Sequence, residues 1–248
     1  MPPTYGMYEV SAAINDLGVK KVLLTNDFQL DVPSILQAAD SNTKIMFVCS
    51  PNNPTGNVFR KEDITALLEQ FSGIVVVDEA YIDFADADSF IKELENYPNL
   101  VVLQTFSKAW GLAALRLGMA YSSEEMNKIL NSIKFPYNVN QATQNFAFEA
   151  LDHIDRHKEI VQAVLEQRNW LREAIGQLET VEKIYPSDAN FLLVKIKQAK
   201  QVYQSLKKKL LIVRDRSGVS LCDNCLRITV GTPEENKQLI SALKEMGA

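Results

Sequence analysis

The run Ile74-Val75-Val76-Val77, closed by Asp78-Glu79, constrains the fold more than any other stretch of the chain. A strand with one wet face alternates apolar and polar residues. Here every position is apolar, so the strand is expected to be covered on both faces, as in a mainly parallel sheet flanked by helices. The acid pair at its end must be solvated, paired or functional, because an unpaired buried carboxylate is too costly.

Similar β-branched runs at Lys21 to Thr25, Lys44 to Ser50, Leu100 to Thr105 and Met119 to Ser122 also read as strands, with amphipathic stretches such as Glu62 to Phe71 between them. The alternation predicts a three-layer α/β/α sandwich over about residues 1–150. Helical runs from Asn140 to Leu151 and from about His157 to Leu178 then lead into a tail. Its strands are expected at Phe191 to Ile196, Leu210 to Arg214 and Leu226 to Val230, with helices at Ala199 to Lys209 and Pro233 to Met246. Residues 151–248 therefore form a smaller α+β domain. Thr232, Pro233 and Glu235 give the last helix a capping box and a proline in its first turn.

With 46% apolar residues in 248, the chain has enough material for such a core. A net charge of -5 and a pI near 5.2 offer nothing to phosphate backbones or anionic lipid, so no nucleic-acid and no membrane partner is expected. Neither a signal peptide nor a span-length apolar run is visible, and three cysteines do not make a disulfide framework. A cytoplasmic location with reduced thiols is the expectation.

Three strand ends carry the chemistry. Thr105-Phe106-Ser107-Lys108-Ala109-Trp110-Gly111, with Arg116 and Gly118 behind it, places hydroxyls, backbone N–H groups and a guanidinium where a helical pattern can begin, a setting suited to a phosphate. Ser50-Pro51-Asn52-Asn53-Pro54-Thr55-Gly56 is a turn that presents the Asn53 amide. Asp78-Glu79-Ala80-Tyr81 ends the central strand. Taken singly, these segments read as a solvated surface lysine, an ordinary Asn-Pro turn and a paired acid. Their meeting at the carboxyl edge of one sheet is what points to a ligand site.

In order and approximate spacing the three segments resemble the cofactor site of fold-type I pyridoxal-phosphate aminotransferases. Pro3-Thr4-Tyr5-Gly6-Met7-Tyr8 at the start, and Val213-Arg214-Asp215-Arg216 with Cys225-Leu226-Arg227-Ile228-Thr229-Val230-Gly231-Thr232 near the end, are similar to the histidinol-phosphate branch of that family. The resemblance implies that Lys108 forms a Schiff base with pyridoxal 5'-phosphate and moves the proton. It implies that Asp78 pairs with the pyridinium nitrogen and that Asn53 and Tyr81 hydrogen-bond the phenolic oxygen. Thr105, Ser107 and Arg116 match phosphate-binding positions, Tyr5 an aromatic lying on the ring face, and Arg214 and Arg227 receivers of substrate anions.

The implied reaction moves the amino group of L-histidinol phosphate to 2-oxoglutarate, giving imidazole acetol phosphate and glutamate in histidine biosynthesis, by a homodimer. Aromatic or other amino acids are the alternative donors. Members of the family begin with an arm and a Gly-containing turn ahead of the Pro-Thr-Tyr-Gly segment, so a catalytically impaired remnant is a further expectation.

Other signals point elsewhere. Cys222-Asp223-Asn224-Cys225 with His153 and His157 has pairwise metal spacing, but the intervals between the pairs fit no common zinc finger. No Gly-rich loop ending in Lys-Ser or Lys-Thr supports an ATPase. A phospho-receiver built on Asp78, Thr105 and Lys108 leaves the tail arginines unexplained. Lys207-Lys208-Lys209 reads as the wet end of a helix.

Overall fold

In the computed structural model, which describes residues 1–246, the central apolar run is covered on both sides as its pattern requires. Strands β1 (Ile45–Cys49), β2 (Ile74–Asp78), β3 (Leu100–Thr105) and β4 (Gly118–Ser122) lie side by side in that order. The first three are parallel and β4 runs antiparallel at the edge. Val48, Val75, Val77, Leu100 and Val102 pack into one core, while Val76 and Val101, of opposite pleat, are buried as well.

Helices α1 (Met7–Ile14) and α2 (Val32–Ala38) precede β1, and α3 (Lys61–Gln70) joins β1 to β2. Ile64, Leu67 and Leu68, at helical spacing on α3, are buried against the sheet. After β4 come α4 (Glu124–Ile133), α5 (Gln141–Asp152) and the long α6 (Ile154–Gly176).

A second sheet is wholly antiparallel. Strands β5 (Val181–Ile184), β6 (Phe191–Ile196), β7 (Arg214–Asp215) and β8 (Cys225–Thr229) are arranged in the order β5-β6-β8-β7. Its core joins Leu192, Leu226 and Ile228 to Leu171 and Ile175 of α6, to Leu206 of α7 (Ala199–Lys208), and to Leu239 and Leu243 of α8 (Pro233–Glu245). The capping box of α8 is formed in full, Thr232 accepting from the Glu235 N–H and Glu235 accepting from the Thr232 N–H. Buried Asn236 ties that helix start to Gln167 of α6 and to both backbone groups of Gly231.

Hydrogen bonds cross between the two sheets' surroundings. Asp188 N–H donates to the Gly56 carbonyl at 2.7 Å, and its carboxylate accepts from Val58 N–H at 2.9 Å. Arg168 of α6 donates to the carbonyls of Phe84 and Ala189.

Four sequence expectations are corrected. Lys21 to Thr25 joins no sheet; within it Leu24 N–H donates to the Pro2 carbonyl and Thr25 N–H to the Gln29 carbonyl, and no ladder forms. Leu210 to Arg214 contributes only Arg214 to a strand, because Leu210 sits at φ 61 and breaks the extended run. After Lys108 the chain makes turns and a 3-10 segment at Ala113–Leu115 instead of an α-helix. His153 lies at the junction of α5 and α6, as the cap of the helix that carries His157 instead of within it. Among the described residues, no helix is long and apolar enough to cross a membrane.

Candidate active site

Because β1, β2 and β3 are parallel, the segments that follow them emerge at one edge of the sheet. Cys49 pairs in register with Asp78, and Asp78 with Leu103, so the first two loops start level and the third, after Thr105, starts two residues further along the same edge. After β1 the loop folds back on itself, Gly56 N–H donating to Asn52 O at 2.7 Å and Asn52 N–H to Asn57 O at 2.9 Å. Gly56 adopts φ +88 there, and a Cβ on it would lie 2.6 Å from Ser187 Oγ. Neighbouring Asn52 is fully buried, donating to Pro3 O and Thr55 Oγ1 and accepting from Thr4 Oγ1. The segment bearing Tyr5 is thereby fastened to the loop bearing Asn53.

The acid pair after β2 divides its work. Glu79 is 1% exposed and accepts from Ser89 Oγ, Phe90 N–H and Gln104 Nε2, so it is a satisfied structural carboxylate. Asp78 turns the other way. Its Oδ1 accepts from Ala80 N–H at 3.1 Å and its Oδ2 from the Tyr8 hydroxyl at 2.5 Å.

Lys108, Tyr81, Phe191, Arg227 and Asn53 form a continuous chain of contacts across the two sheets. The Lys108 ammonium lies 5.2 Å from the Tyr81 ring centroid, and Tyr81 meets Phe191 edge-on at 5.2 Å. The Arg227 guanidinium covers Phe191 at 4.9 Å and donates to Asn53 Oδ1 at 2.6 Å. Arg227 Nε is buried without a partner, the mark of a site with a donor to spare. Arg214 is the cross-strand neighbour of Arg227, so both side chains leave the same face of the second sheet.

The electrostatics follow from this crowding. Partial burial, then the Arg227 charge, lowers the Lys108 pKa below the usual lysine value; Asp78 opposes the shift and Arg116 adds to it. Burial pushes the Tyr81 phenol up to about 12, against the pull of Arg227, so it remains a hydrogen-bond donor.

Thr105 Oγ1 accepts from Ser107 N–H at 3.0 Å and donates to Leu117 O, which sets the start of the Lys108 turn. Exposed Arg116 holds φ 52 and donates to Ala113 O. Arg116 is near enough to influence Lys108, whereas Tyr5, 43% exposed, stands at the rim against Tyr8.

Sequence reasoning gave no role to Tyr8, Asn52 or Asp188. Tyr5 and Tyr8, three residues apart at a helix start, carry a signal for the first. Cys222 and Cys225 are buried, which raises their thiols to about 12 and about 11, and His157 stacks on Trp110 at 4.1 Å beside Asp83. These groups are committed to packing.

The model of the family described as "Aminotransferase class I and II" matches residues 1–243. The chain belongs to the class I and II aminotransferase family. It is 55% identical over 244 residues to the histidinol-phosphate aminotransferase of Cytophaga hutchinsonii, covering 98% of this chain and 70% of that one. In structure, this aminotransferase chain is similar to the histidinol-phosphate aminotransferase from Clostridium acetobutylicum, with a TM-score of 0.92 at 22% identity over 99% of this chain and 76% of the other. The enzyme of the same name from Sinorhizobium meliloti, solved in complex with pyridoxal-5'-phosphate, gives 0.87 at 25% identity, covering 98% and 67%. The fold-type I architecture expected from the sequence is thus the observed one.

Proposed function

We propose that this aminotransferase uses pyridoxal 5'-phosphate to move the amino group of L-histidinol phosphate to 2-oxoglutarate, giving imidazole acetol phosphate and glutamate. The observation that carries it is the convergence of Lys108, Asp78, Tyr81 and Asn53 at one sheet edge, with Arg227 reaching in from the second sheet.

The donor set fits that cofactor. Each Asp78 oxygen accepts one hydrogen bond and keeps a lone pair for a protonated ring nitrogen. With Asn53 Oδ1 taken by Arg227, the Asn53 amide nitrogen is left to donate, together with the Tyr81 hydroxyl, to a phenolic oxygen. Thr105, Ser107 and Arg116, around the turn that follows β3, supply hydroxyls, N–H groups and a guanidinium for a phosphate. Tyr5 supplies an aromatic face at the rim.

When bound, the cofactor supplies the electron sink for the charge left at the substrate's Cα. The chain's residues do the rest. Lys108, whose lowered pKa favours a neutral amine, takes and moves the Cα proton. Arg227 and Arg214, on one face of the second sheet, suit a phosphate in one half-reaction and a carboxylate in the other, since a guanidinium forks onto either. In this reading residues 1–150 hold the cofactor and 151–248 supply the substrate arginines.

We also propose that the enzyme works as a cytoplasmic homodimer. Unpaired Cys49, Cys222 and Cys225 suit a reducing compartment. Exposed Ile133, Phe135, Tyr137, Phe146 and Phe148 offer apolar area for a second copy.

The test is glutamate production from histidinol phosphate and 2-oxoglutarate by the purified chain supplied with cofactor. Turnover that falls about a hundredfold or more in Lys108→Ala is expected. Faster turnover of tyrosine or phenylalanine than of histidinol phosphate would overturn the substrate assignment.

A further inference from the structure

Tyr8 has no part in the reading above, yet its hydroxyl makes the only side-chain hydrogen bond that Asp78 receives among the described residues, at 2.5 Å to Oδ2. The ring is held by two aromatic neighbours. It stacks on Phe47 of β1 with centroids 4.6 Å apart and planes 16° from parallel, and it meets Tyr5 edge-on at 5.6 Å. Tyr8 sits on α1, one turn from Tyr5, while Asp78 ends β2; the contact joins residues 70 apart in the chain.

We propose that Tyr8 is a positioning residue for Asp78, fixing the rotation of the carboxylate so that it presents an acceptor oxygen to the protonated ring nitrogen of the cofactor. This rests on the assignment of Asp78 to that nitrogen.

A carboxylate that shares a proton with a pyridine nitrogen can hold it on either partner, and a donor on the far oxygen stabilises the ionised form and leaves the proton on the ring. Ala80 N–H already occupies Oδ1, so Tyr8 completes a pair of donors that fixes both oxygens and the rotation of the group. Tyr8 itself stays a donor, since burial first, and then Cys49 and Asp78, push its phenol far above the usual tyrosine range. Phe47, stacked on the Tyr8 ring, has no hydroxyl to take its place.

The test reads the ring nitrogen directly. The chain is loaded with 15N-labelled pyridoxal phosphate and its nitrogen shift is measured at neutral pH in wild type, Tyr8→Phe and Asp78→Asn. Wild type is expected at the protonated-ring shift. Tyr8→Phe, which keeps the stack on Phe47, is expected to move toward the neutral-pyridine shift and to bind cofactor roughly tenfold more weakly, as loss of a hydrogen bond to a charged group implies.

A Tyr8→Phe chain that melts at lower temperature but keeps the wild-type nitrogen shift has lost packing alone, and that result overturns the proposal. Replacing Tyr8 by 3-fluorotyrosine, a stronger donor of nearly equal size, should leave the ring at least as fully protonated as in wild type; a less protonated ring also counts against it. The underlying assignment fails separately, if the wild-type shift is that of an unprotonated ring or if Asp78→Asn leaves the shift unchanged.

Discussion

The pKa of Lys108 is lowered, first by partial burial and then by Arg227. A lysine whose folded pKa lies below its unfolded value of 10.5 binds fewer protons in the folded state than in the unfolded one over the interval between the two values. Stability of the cofactor-free chain therefore rises with pH across that interval, and the penalty is complete below it. In Lys108→Leu this rise is expected to disappear, and urea midpoints measured from neutral to alkaline pH check it; equal slopes for the two chains would remove the support for a neutral amine. Glu79, which follows Asp78 at the end of β2, shows that adjacent carboxylates can have unlike fates: three donors hold the buried one, while its neighbour accepts only from Ala80 N–H and the Tyr8 hydroxyl.

Elements were legible in the sequence where their own residues decide them. The unbroken apolar run of β2 foretold burial on both faces, and Thr232, Pro233 and Glu235 foretold the start of α8. Loss of the cap in Thr232→Ala should cost about 1 kcal/mol, read from the shift in denaturation midpoint. An effect near zero would mean that Asn236 and its bonds to Gln167 and Gly231 hold the helix start alone. Elements that depend on a distant partner were not legible. Lys21 to Thr25 has strand composition but meets no ladder, and β5 at Val181–Ile184, with two exposed charged residues at its centre, becomes a strand only because β6 lies beside it. The role of Tyr8 was hidden for the same reason, its partner being 70 residues away.

Across the whole molecule, the loop that carries Asn53 is held against the second sheet by backbone groups. Gly56, at φ +88 and in close contact with Ser187, is where the two surfaces meet, and Asp188 bonds to both Gly56 O and Val58 N–H. Gly56→Ala is expected to cost at least about 1–2 kcal/mol from the left-handed backbone alone, with more from the clash. It should also weaken cofactor binding, because Asn53 moves with the loop; titration of cofactor by tryptophan fluorescence checks this, and unchanged affinity would show that Asn53 is placed independently. The parallel strand ends and the docked second sheet serve one purpose in this account, which is to set a single reactive amine at the sheet's rim. That claim is tested most directly by adding pyridoxal phosphate to the native chain, reducing with borohydride and mapping the label by peptide mass spectrometry. The account predicts one labelled peptide, carrying Lys108; label on another lysine, or spread thinly over the surface lysines, would contradict it.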